Sequence, residues 1–370
     1  QPSFDDRTTA LGNGTRRIFE ALGVWPAMAA DAGAIRTIHV SDRGRFGFAR
    51  LEAAQQGVDA FGYVVANRAI GQALWQALRQ PGADALARLE LRVPARASDI
   101  DVSAACVALT VTPTAAAAAG ERCRARLLVA ADGAQSGIRD LVGIGAHVED
   151  YGQTALVVNV AADRPNDGTA YERFTPTGPL AVLPLRDGSY TFVWTLAPAA
   201  AQAALALDDA AFLATLQRAF GWRAGRLVRA GRRSQYDLAL TRADETVATR
   251  TVLIGNAAQA LHPVAGQGFN LGIRDAATLA EVLAERPGDA GDPTLLASFA
   301  ARREDDRRGV TRFTDGLVKL FRDERRAVGV ARSLGLLLFD LAPPAKNALS
   351  RVSWGFAGRA PRLARGLRIR

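Results

Sequence analysis

The stretch VLIGNAAQALHPVAGQGFNLGIRDA, Val252 to Ala276, limits what this chain can fold into more than any other. Val252 to Ile254 read as a buried strand, Gly255 follows with no side chain, and a helix begins after Gly266-Gln267-Gly268. In α/β sheets, ligands sit where strands end in such turns. Gly255 lets backbone approach a ligand with no Cβ in the way. Asn256 can both donate to and accept from a row of hydroxyls. Gly266 and Gly268 form a permissive loop before a helix whose first N–H groups lack partners and whose dipole is positive there. An anion or an electron-rich ring oxygen is stabilised at such an end. A tight strand-to-helix turn would explain some of these glycines. Their density favours a seat for a large planar cofactor with a phosphate-bearing tail. His262 is a minor candidate for a base, because Pro263 beside it reads as a structural turn.

A second strand end, LLVAADGAQSGIRDLVG (Leu127 to Gly143), repeats the theme. A buried five-residue strand is expected to stop at Asp132-Gly133, with Ser136 and Arg139 opening a helix. An Asp-Gly after a strand is more often only a turn, so this site gains weight from the first. Arg7, in DDRTTAL, and Arg68, at a helix start after YVVAN, read as surface residues by themselves.

Around these sites the texture changes twice. Residues 13–25 (NGTRRIFEALGVW) predict an amphipathic helix with Ile18, Leu22 and Trp25 on one side and Asn13 or Thr15 as its cap. Alternation over Ile35 to Phe48 predicts a hairpin turning at Asp-Arg-Gly. Tyr63–Val65 reads as a strand, followed by a helix over Ala69–Leu78 behind Asn67. VALTVTP and ERCRARLLVAAD read as strands across the loop TAAAAAG. Residues 152–196 (TALVVNV, LAVLPL, YTFVWTL) predict an antiparallel sheet, with a helix over 200–220 and a returning strand over 232–240. After the opening motif everything reads as helix. One apolar stripe runs through Phe269, Ile273, Ala276, Ala280 and Leu283, and further helices cover 295–308, 309–322 and 327–341.

Composition removes other function classes. A chain of 370 residues with 49% hydrophobic and 22% charged side chains is globular and exceeds one ordinary core. Two cysteines and three isolated histidines give neither a disulfide framework nor metal-ligand spacing, so a reduced cytosolic setting is expected. The longest apolar run, Leu334–Leu341, is too short to span a bilayer. Net charge is +9, and no acidic residue follows Asp340, while Lys346, Arg351, Arg359, Arg362, Arg365, Arg368 and Arg370 do. That tail is either solvated or attracted to an anionic membrane. Nucleic acid is not expected, since the chain shows no recognition motif for it.

The segments DDRTTALGNGTRRIFEALGVW, YVVANR, DGAQSGIR and GNAAQALHPVAGQGFNLGIRDA together resemble the ubiquinone-biosynthesis hydroxylases among the flavin-dependent aromatic monooxygenases. The likeness runs from Phe4 to the C-terminus and is thin between Gln80 and Arg122. Gly255-Asn256, where most of that superfamily has Gly-Asp, is similar to the octaprenyl-methoxyphenol hydroxylase branch. The resemblance implies an α/β (α+β composite) fold like that of para-hydroxybenzoate hydroxylase. A discontinuous FAD-binding domain would take residues 1–33, 67–148 and 243–300. A substrate domain with an antiparallel sheet would take 34–66 and 149–242, and C-terminal helices with a basic tail would take 301–370. It implies FAD as cofactor, NADPH or NADH as co-substrate, and hydroxylation of a polyprenylated phenol by O2 through a C4a-hydroperoxyflavin. By the same resemblance Asp132 and Gly133 touch flavin and nicotinamide, Gly255 and Asn256 hold the ribityl chain, and Gly266, Gly268 and Asn270 underlie the ring. Arg7 and Arg68 contact the cofactor. Peripheral contact with a bacterial inner membrane and with proteins of a quinone-biosynthesis complex would follow.

One departure concerns the phosphate grip. The family pattern includes a Gly-x-Gly-x-x-Gly turn in a βαβ unit, and no such turn occurs in these 370 residues. The expectation is a chain that lacks the N-terminal βαβ unit, holds FAD weakly and exposes an edge of its parallel sheet. The alternatives are a hydroxylase of another phenolic or polyketide substrate, or a non-catalytic scaffold of a quinone-making complex.

Overall fold

The computed structural model describes residues 7–80, 89–114, 119–261, 266–322, 334, 335, 338, 340 and 360–369. β1 (Thr8–Gly12) runs straight into α1 (Asn13–Ala21). Neither predicted cap acts as one. Asn13 donates Nδ2–H to Ala60 O at 2.7 Å, and Thr15 donates its hydroxyl to Asn270 Oδ1 at 2.7 Å, so both tie the helix to distant elements. Ile18 is buried as its spacing predicts, but Leu22 is 57% exposed because the helix ends at Ala21 and Leu22 falls past its apolar stripe. α2 (Trp25–Ala29) leads to β2 (Gly33–Ile35). β5 (Gly62–Ala66) lies between β1 and β2, antiparallel to both, and α3 (Asn67–Arg79) follows it.

The hairpin expected at 35–48 is β3 (Thr37–Asp42) and β4 (Phe48–Glu52). It joins a nine-stranded sheet ordered β18-β15-β10-β13-β12-β11-β3-β4, with β14 also on β10. Its strands are β10 (Ala146–Ala162), β11 (Thr169–Thr175), β12 (Gly178–Pro184), β13 (Tyr190–Leu196), β14 (Leu227–Ala230), β15 (Ser234–Ala243) and β18 (Gln259–Ala260). All pairings are antiparallel except β3 with β11. Alternation along these strands makes two apolar faces. Leu156, Val158, Leu180, Val182, Phe192 and Trp194 pack on α5 (Pro198–Leu205) and α6 (Asp209–Phe220). The single helix predicted over 200–220 is two helices, because Asp208 Oδ1 accepts from Ala211 N at 2.7 Å and starts a new one. The opposite face, with Ile38, Ala170 and Leu183, packs on Ala10 of β1 and Val64 of β5.

β6 (Ala95–Val102), β7 (Val107–Pro113) and β8 (Glu121–Ala125) form a separate antiparallel ribbon. β6 escapes a sequence reading because ARASDIDV is polar and half open to solvent. β9 (Leu128–Ala130) is shorter than the predicted buried strand, and Val129 is 38% exposed. The reason is its position: β9 ends the sheet β16 (Val247–Ala248), β17 (Thr251–Leu253), β9, and no described strand pairs with its outer side. α4 (Gly137–Leu141) follows β9.

α7 (Gln267–Glu285) and α8 (Pro293–Arg322) pack side by side. The two helices predicted over 295–308 and 309–322 are one, since an interior Gly309 costs only about 1 kcal/mol. The apolar stripe predicted on α7 is not its buried face. Ala276 and Ala280 are exposed, while Leu271, Arg274, Asp275, Thr278, Leu279 and Val282 are buried. α7 turns charges inward because α8 meets them with opposite ones. Asp275 pairs with Arg303 Nε at 2.8 Å and Arg307 Nη2 at 3.3 Å, and Asp306 pairs with Arg274 Nε at 2.7 Å and Arg303 Nη1 at 2.6 Å. Burial disfavours the Asp306 carboxylate, yet Arg274 and Arg303 outweigh it and hold its pKa below the ordinary value.

Of the predicted C-terminal basic tail, residues 360–369 fold back rather than trail in solvent. Leu363 and Ala364 pack with Ile18 of α1 and Ala277 of α7, and Arg362 N donates to Glu281 Oε2 at 2.6 Å. Among the described residues no helix is long and apolar enough to cross a membrane.

Two stability tests follow from these buried groups. His39 is buried on β3, stacked on Phe48 at 5.4 Å, and neither ring nitrogen has a hydrogen-bond partner among the described residues. Burial, then the Arg223 charge, with Arg50 and Arg173 adding to it, lower its pKa from 6.5 to about 4. The unfolded chain therefore takes up this proton first, and stability is lost as pH falls from 6.5 through 4. Denaturant titration should find wild type losing about 2 kcal/mol more than His39→Phe between pH 7.5 and 5. Parallel curves for the two proteins would refute this. Asp275→Asn leaves Arg303 and Arg307 facing each other in the interior and should cost about 3–5 kcal/mol. Glu304→Gln, at the exposed Arg308–Glu304 pair, should cost under about 1 kcal/mol. Equal midpoints for these two variants would show that the buried network is not what joins the helices.

Candidate functional site

β17 and β9 run parallel with Leu253 opposite Ala130, and Ile254 N donates to Ala130 O at 3.0 Å. The two sequence motifs therefore leave the carboxyl ends of neighbouring strands. Both need a left-handed glycine at the exit, Gly133 at φ +93° and Gly255 at φ +58°. Arg139 joins them. It is 6% exposed, and its Nη1 donates to Ala134 O at 3.1 Å and Ala257 O at 3.2 Å. Sequence reasoning placed Arg139 only at a helix start; a long cation in the first turn after Asp-Gly was the signal available.

Asp132 organises its own turn. Its Oδ1 accepts from Ser136 Oγ at 2.5 Å and its Oδ2 from Ile138 N at 3.1 Å, while Ser136 caps α4 by accepting from Arg139 N at 3.0 Å. The residue still stands exposed at the rim, as does Asn256. Gly255 opens a 3-10 turn, Gly255–Ala257, and its N–H donates to Asp275 Oδ2 at 3.0 Å. The buried charge network thus reaches the motif loop directly. The loop lies so close to α7 that a Cβ on Gly272 would come within 3.0 Å of Gly255 Cα.

Gly266 caps α7 with φ +59°, and a Cβ there would meet Ala10 Cβ at 3.3 Å. Gly268, one position inside the helix, and Gly133 both face open space, with nothing within 4 Å of an added Cβ. Asn270 is saturated by the protein. Its Oδ1 accepts from Gly12 N at 2.8 Å and Thr15 Oγ1 at 2.7 Å, and its Nδ2 donates to Ala10 O and Gly266 O, each at 2.8 Å. Its side chain therefore welds the α7 start to the β1–α1 turn. Its polarity in the motif reads as ligand binding until that weld is seen.

Arg7 and Arg68 come together elsewhere. They line a cavity of about 290 Å³ between β1, α3 and the large sheet, with Arg232 and Tyr236 on its far wall. The Arg7 guanidinium lies 4.7 Å over the Tyr236 ring. This cavity is not lined by Asp132, Gly255 or Gly268. His262 lies outside the described residues.

The residues present suit a flat, anionic, hydroxyl-bearing group. Gly133 and Gly268 leave space, Asn256 offers an exposed amide after Gly255, and Gly268 lies in the first, positive turn of a 19-residue helix.

Comparison with known proteins agrees. Residues 2–314 match the family described as FAD binding domain. The chain is 38% identical over 373 aligned positions to the ubiquinone hydroxylase UbiL of Rhodospirillum rubrum, covering 98% of this chain and 83% of that protein. It is 29% identical to the 3-demethoxyubiquinol 3-hydroxylase of Escherichia coli, covering 95% of this chain and 88% of that one. Among solved structures, p-nitrophenol 4-monooxygenase PnpA of Pseudomonas putida superposes with a TM-score of 0.76 at 19% identity, covering 97% of this chain and 90% of that one. HpxO of Klebsiella pneumoniae, complexed with FAD and uric acid, gives 0.72 at 17% identity over 96% and 89% of the two chains. The expected α/β fold is the one found, and the chain belongs to the FAD-dependent aromatic monooxygenases of the ubiquinone-hydroxylase family.

Proposed function

We propose that this enzyme hydroxylates a polyprenylated phenol of ubiquinone biosynthesis, using FAD, O2 and NADPH or NADH. The observation that carries the reading is the meeting of the Asp132-Gly133 and Gly255-Asn256 turns beside the open, positive end of α7. When bound, FAD accepts two electrons from the reduced nicotinamide and activates oxygen for transfer to the phenol ring.

The chain's own residues supply position, charge and dryness. The N–H groups of the first turn of α7, around Gly268, stabilise negative charge on the cofactor ring. Asn256 and the backbone at Gly255 bind the hydroxyl-bearing chain, and Asp132 with Gly133 forms the rim where flavin and nicotinamide meet. Arg7 and Arg68 contact the cofactor from the cavity they share. The apolar face of the large sheet excludes water from the reacting ring. Retention of FAD by these 370 residues is weak, because their glycines serve the ring and the hydroxyl chain while no Gly-x-Gly-x-x-Gly grips the phosphates. Peripheral binding at an anionic inner-membrane surface, and to proteins of a quinone-biosynthesis complex, belongs to the same proposal. Exposed Arg365, Arg368 and Leu338 support the membrane part.

Gly268 gives the sharpest test, since a Cβ there has no described atom within 4 Å beyond its chain neighbours and its own helix backbone. Gly268→Leu should keep or slightly raise the melting temperature, because leucine favours helix over glycine. Flavin titration followed by fluorescence should show at least about a tenfold loss of affinity, the effect of about 1.4 kcal/mol. Unchanged affinity would remove the cofactor from this helix end. Catalysis is tested by following nicotinamide oxidation coupled to product in the flavin-supplemented enzyme, with prenylated phenol in anionic or zwitterionic vesicles against simple phenols. Prenylated phenol in anionic vesicles should be turned over fastest. Product only from simple phenols would overturn the substrate class, and rates indifferent to lipid charge would overturn the membrane contact.

A further inference from the structure

One titratable side chain stands apart from the cofactor motifs and from every ion pair described above. Glu172 lies in the middle of β11, on the face of the large sheet turned toward β1 and β5. It stands in register with Val40 on one side and Ala181 on the other. The row continues to Ala49 on β4 and to Val193 and Val157 on β13 and β10. The result is a floor of small apolar side chains with a single carboxylate in it.

The surroundings place that floor beside the cofactor loops. Along β11, Ala170 packs in the cluster that holds Ala10, and Ala10 is the residue that a side chain on Gly266 would touch. On the other side Phe174 packs in the cluster that holds Leu261, which follows the Gly255-Asn256 turn. Glu172 therefore sits between the two ends of the loop that leads into α7.

Glu172 Oε1 is closed to solvent and has no hydrogen-bond partner among the described residues. The residue as a whole keeps some accessible surface. Burial alone, with no compensating cation, pushes its carboxyl from 4.5 up to about 7. Where this protein buries a carboxylate for structure, at Asp275 and Asp306, it surrounds it with arginines. Glu172 has none, and an unpaired buried acceptor on a flat apolar floor suits an aromatic ring that carries a hydroxyl.

We propose that Glu172 is a catalytic residue that binds the phenolic hydroxyl of the substrate and takes its proton as the ring is attacked. This rests on the hydroxylase reading above. In the step, the phenolic O–H bond breaks, the proton forms a new O–H bond on the Glu172 carboxylate, and the electron pair stays on the phenolic oxygen. The ring becomes more electron-rich at the positions beside and opposite that oxygen, where an electrophilic oxygen is received. No further oxidant or reductant is needed for the transfer.

The experiment uses the flavin-supplemented chain and its Glu172→Gln and Glu172→Ala variants. In wild type, kcat should rise as pH rises through about 7, where the carboxylate forms. In Glu172→Gln that limb should vanish and kcat at pH 8 should fall about a hundredfold, a general base's share, with KM rising by no more than the roughly tenfold that a charged hydrogen bond supplies. Binding gives a readout independent of turnover. By calorimetry, wild type at pH 8 should bind a prenylated phenol at least about tenfold tighter than its O-methyl ether, as a charged hydrogen bond allows. Glu172→Ala should bind the two alike. A wild type that does not distinguish phenol from ether, or a Gln variant that keeps the pH limb and the rate, overturns the assignment while leaving the hydroxylase reading intact. A wild type that binds FAD and oxidises nicotinamide but forms no product from any phenol overturns the hydroxylase reading instead, and this assignment with it.

Discussion

The geometry of the Gly255 turn depends on one buried carboxylate. Asp275 accepts from the Gly255 N–H with one oxygen and meets Arg303 and Arg307 with the other. A left-handed glycine in a loop has many alternatives when free. Here the loop is held by a hydrogen bond to a charge that cannot move without unpairing two arginines in the interior. Helix packing and motif geometry are therefore a single constraint. Breaking either leaves an uncompensated charge where water does not reach.

The same economy recurs around the site. Arg139 fastens the Asp132 turn to the Gly255 turn from beneath, and Asn270 fastens the α7 start to β1 and α1 with four hydrogen bonds. These side chains hold the loops and leave the Gly133 and Gly268 positions open. A site built this way spends polar side chains on support and leaves contact to the backbone, the exposed Asn256 and the helix dipole. Glu172 is the contrast: its Oε1 is closed to solvent with no hydrogen-bond partner among the described residues, in a row of apolar side chains.

Much of this was legible from residues alone. Strand, glycine turn and helix could be read at 252–276 because Gly255, Gly266 and Gly268 occur where few folds need them. The hairpin at Asp-Arg-Gly and the antiparallel texture of 152–196 followed from alternation. Failures cluster where charge went inward. The stripe on α7 was drawn through Ala276 and Ala280 on the rule that apolar residues are buried, yet Arg274 and Asp275 are buried because α8 brings partners from some thirty residues away. Gly309 was taken as a helix boundary, although packing on α7 exceeds the small cost of an interior glycine. β6 and the return of residues 360–369 onto α1 gave no local signal, since both are decided by distant surfaces.

By itself the sequence determined the family, the strand–glycine–helix turns and the order of α/β and antiparallel segments. These reside in short patterns whose backbone needs only certain residues can meet. Tertiary structure alone decided which polar residues stand open and which are consumed inside. Asn270 and Asn256 look alike in the motif, but one is saturated by four internal bonds and the other stands open at the rim. Glu172 is one more charged residue in a strand until register sets it among Val40, Ala181 and Val193. Hydrogen-bond satisfaction and desolvation depend on every neighbour in space, and a chain read in one dimension does not contain them.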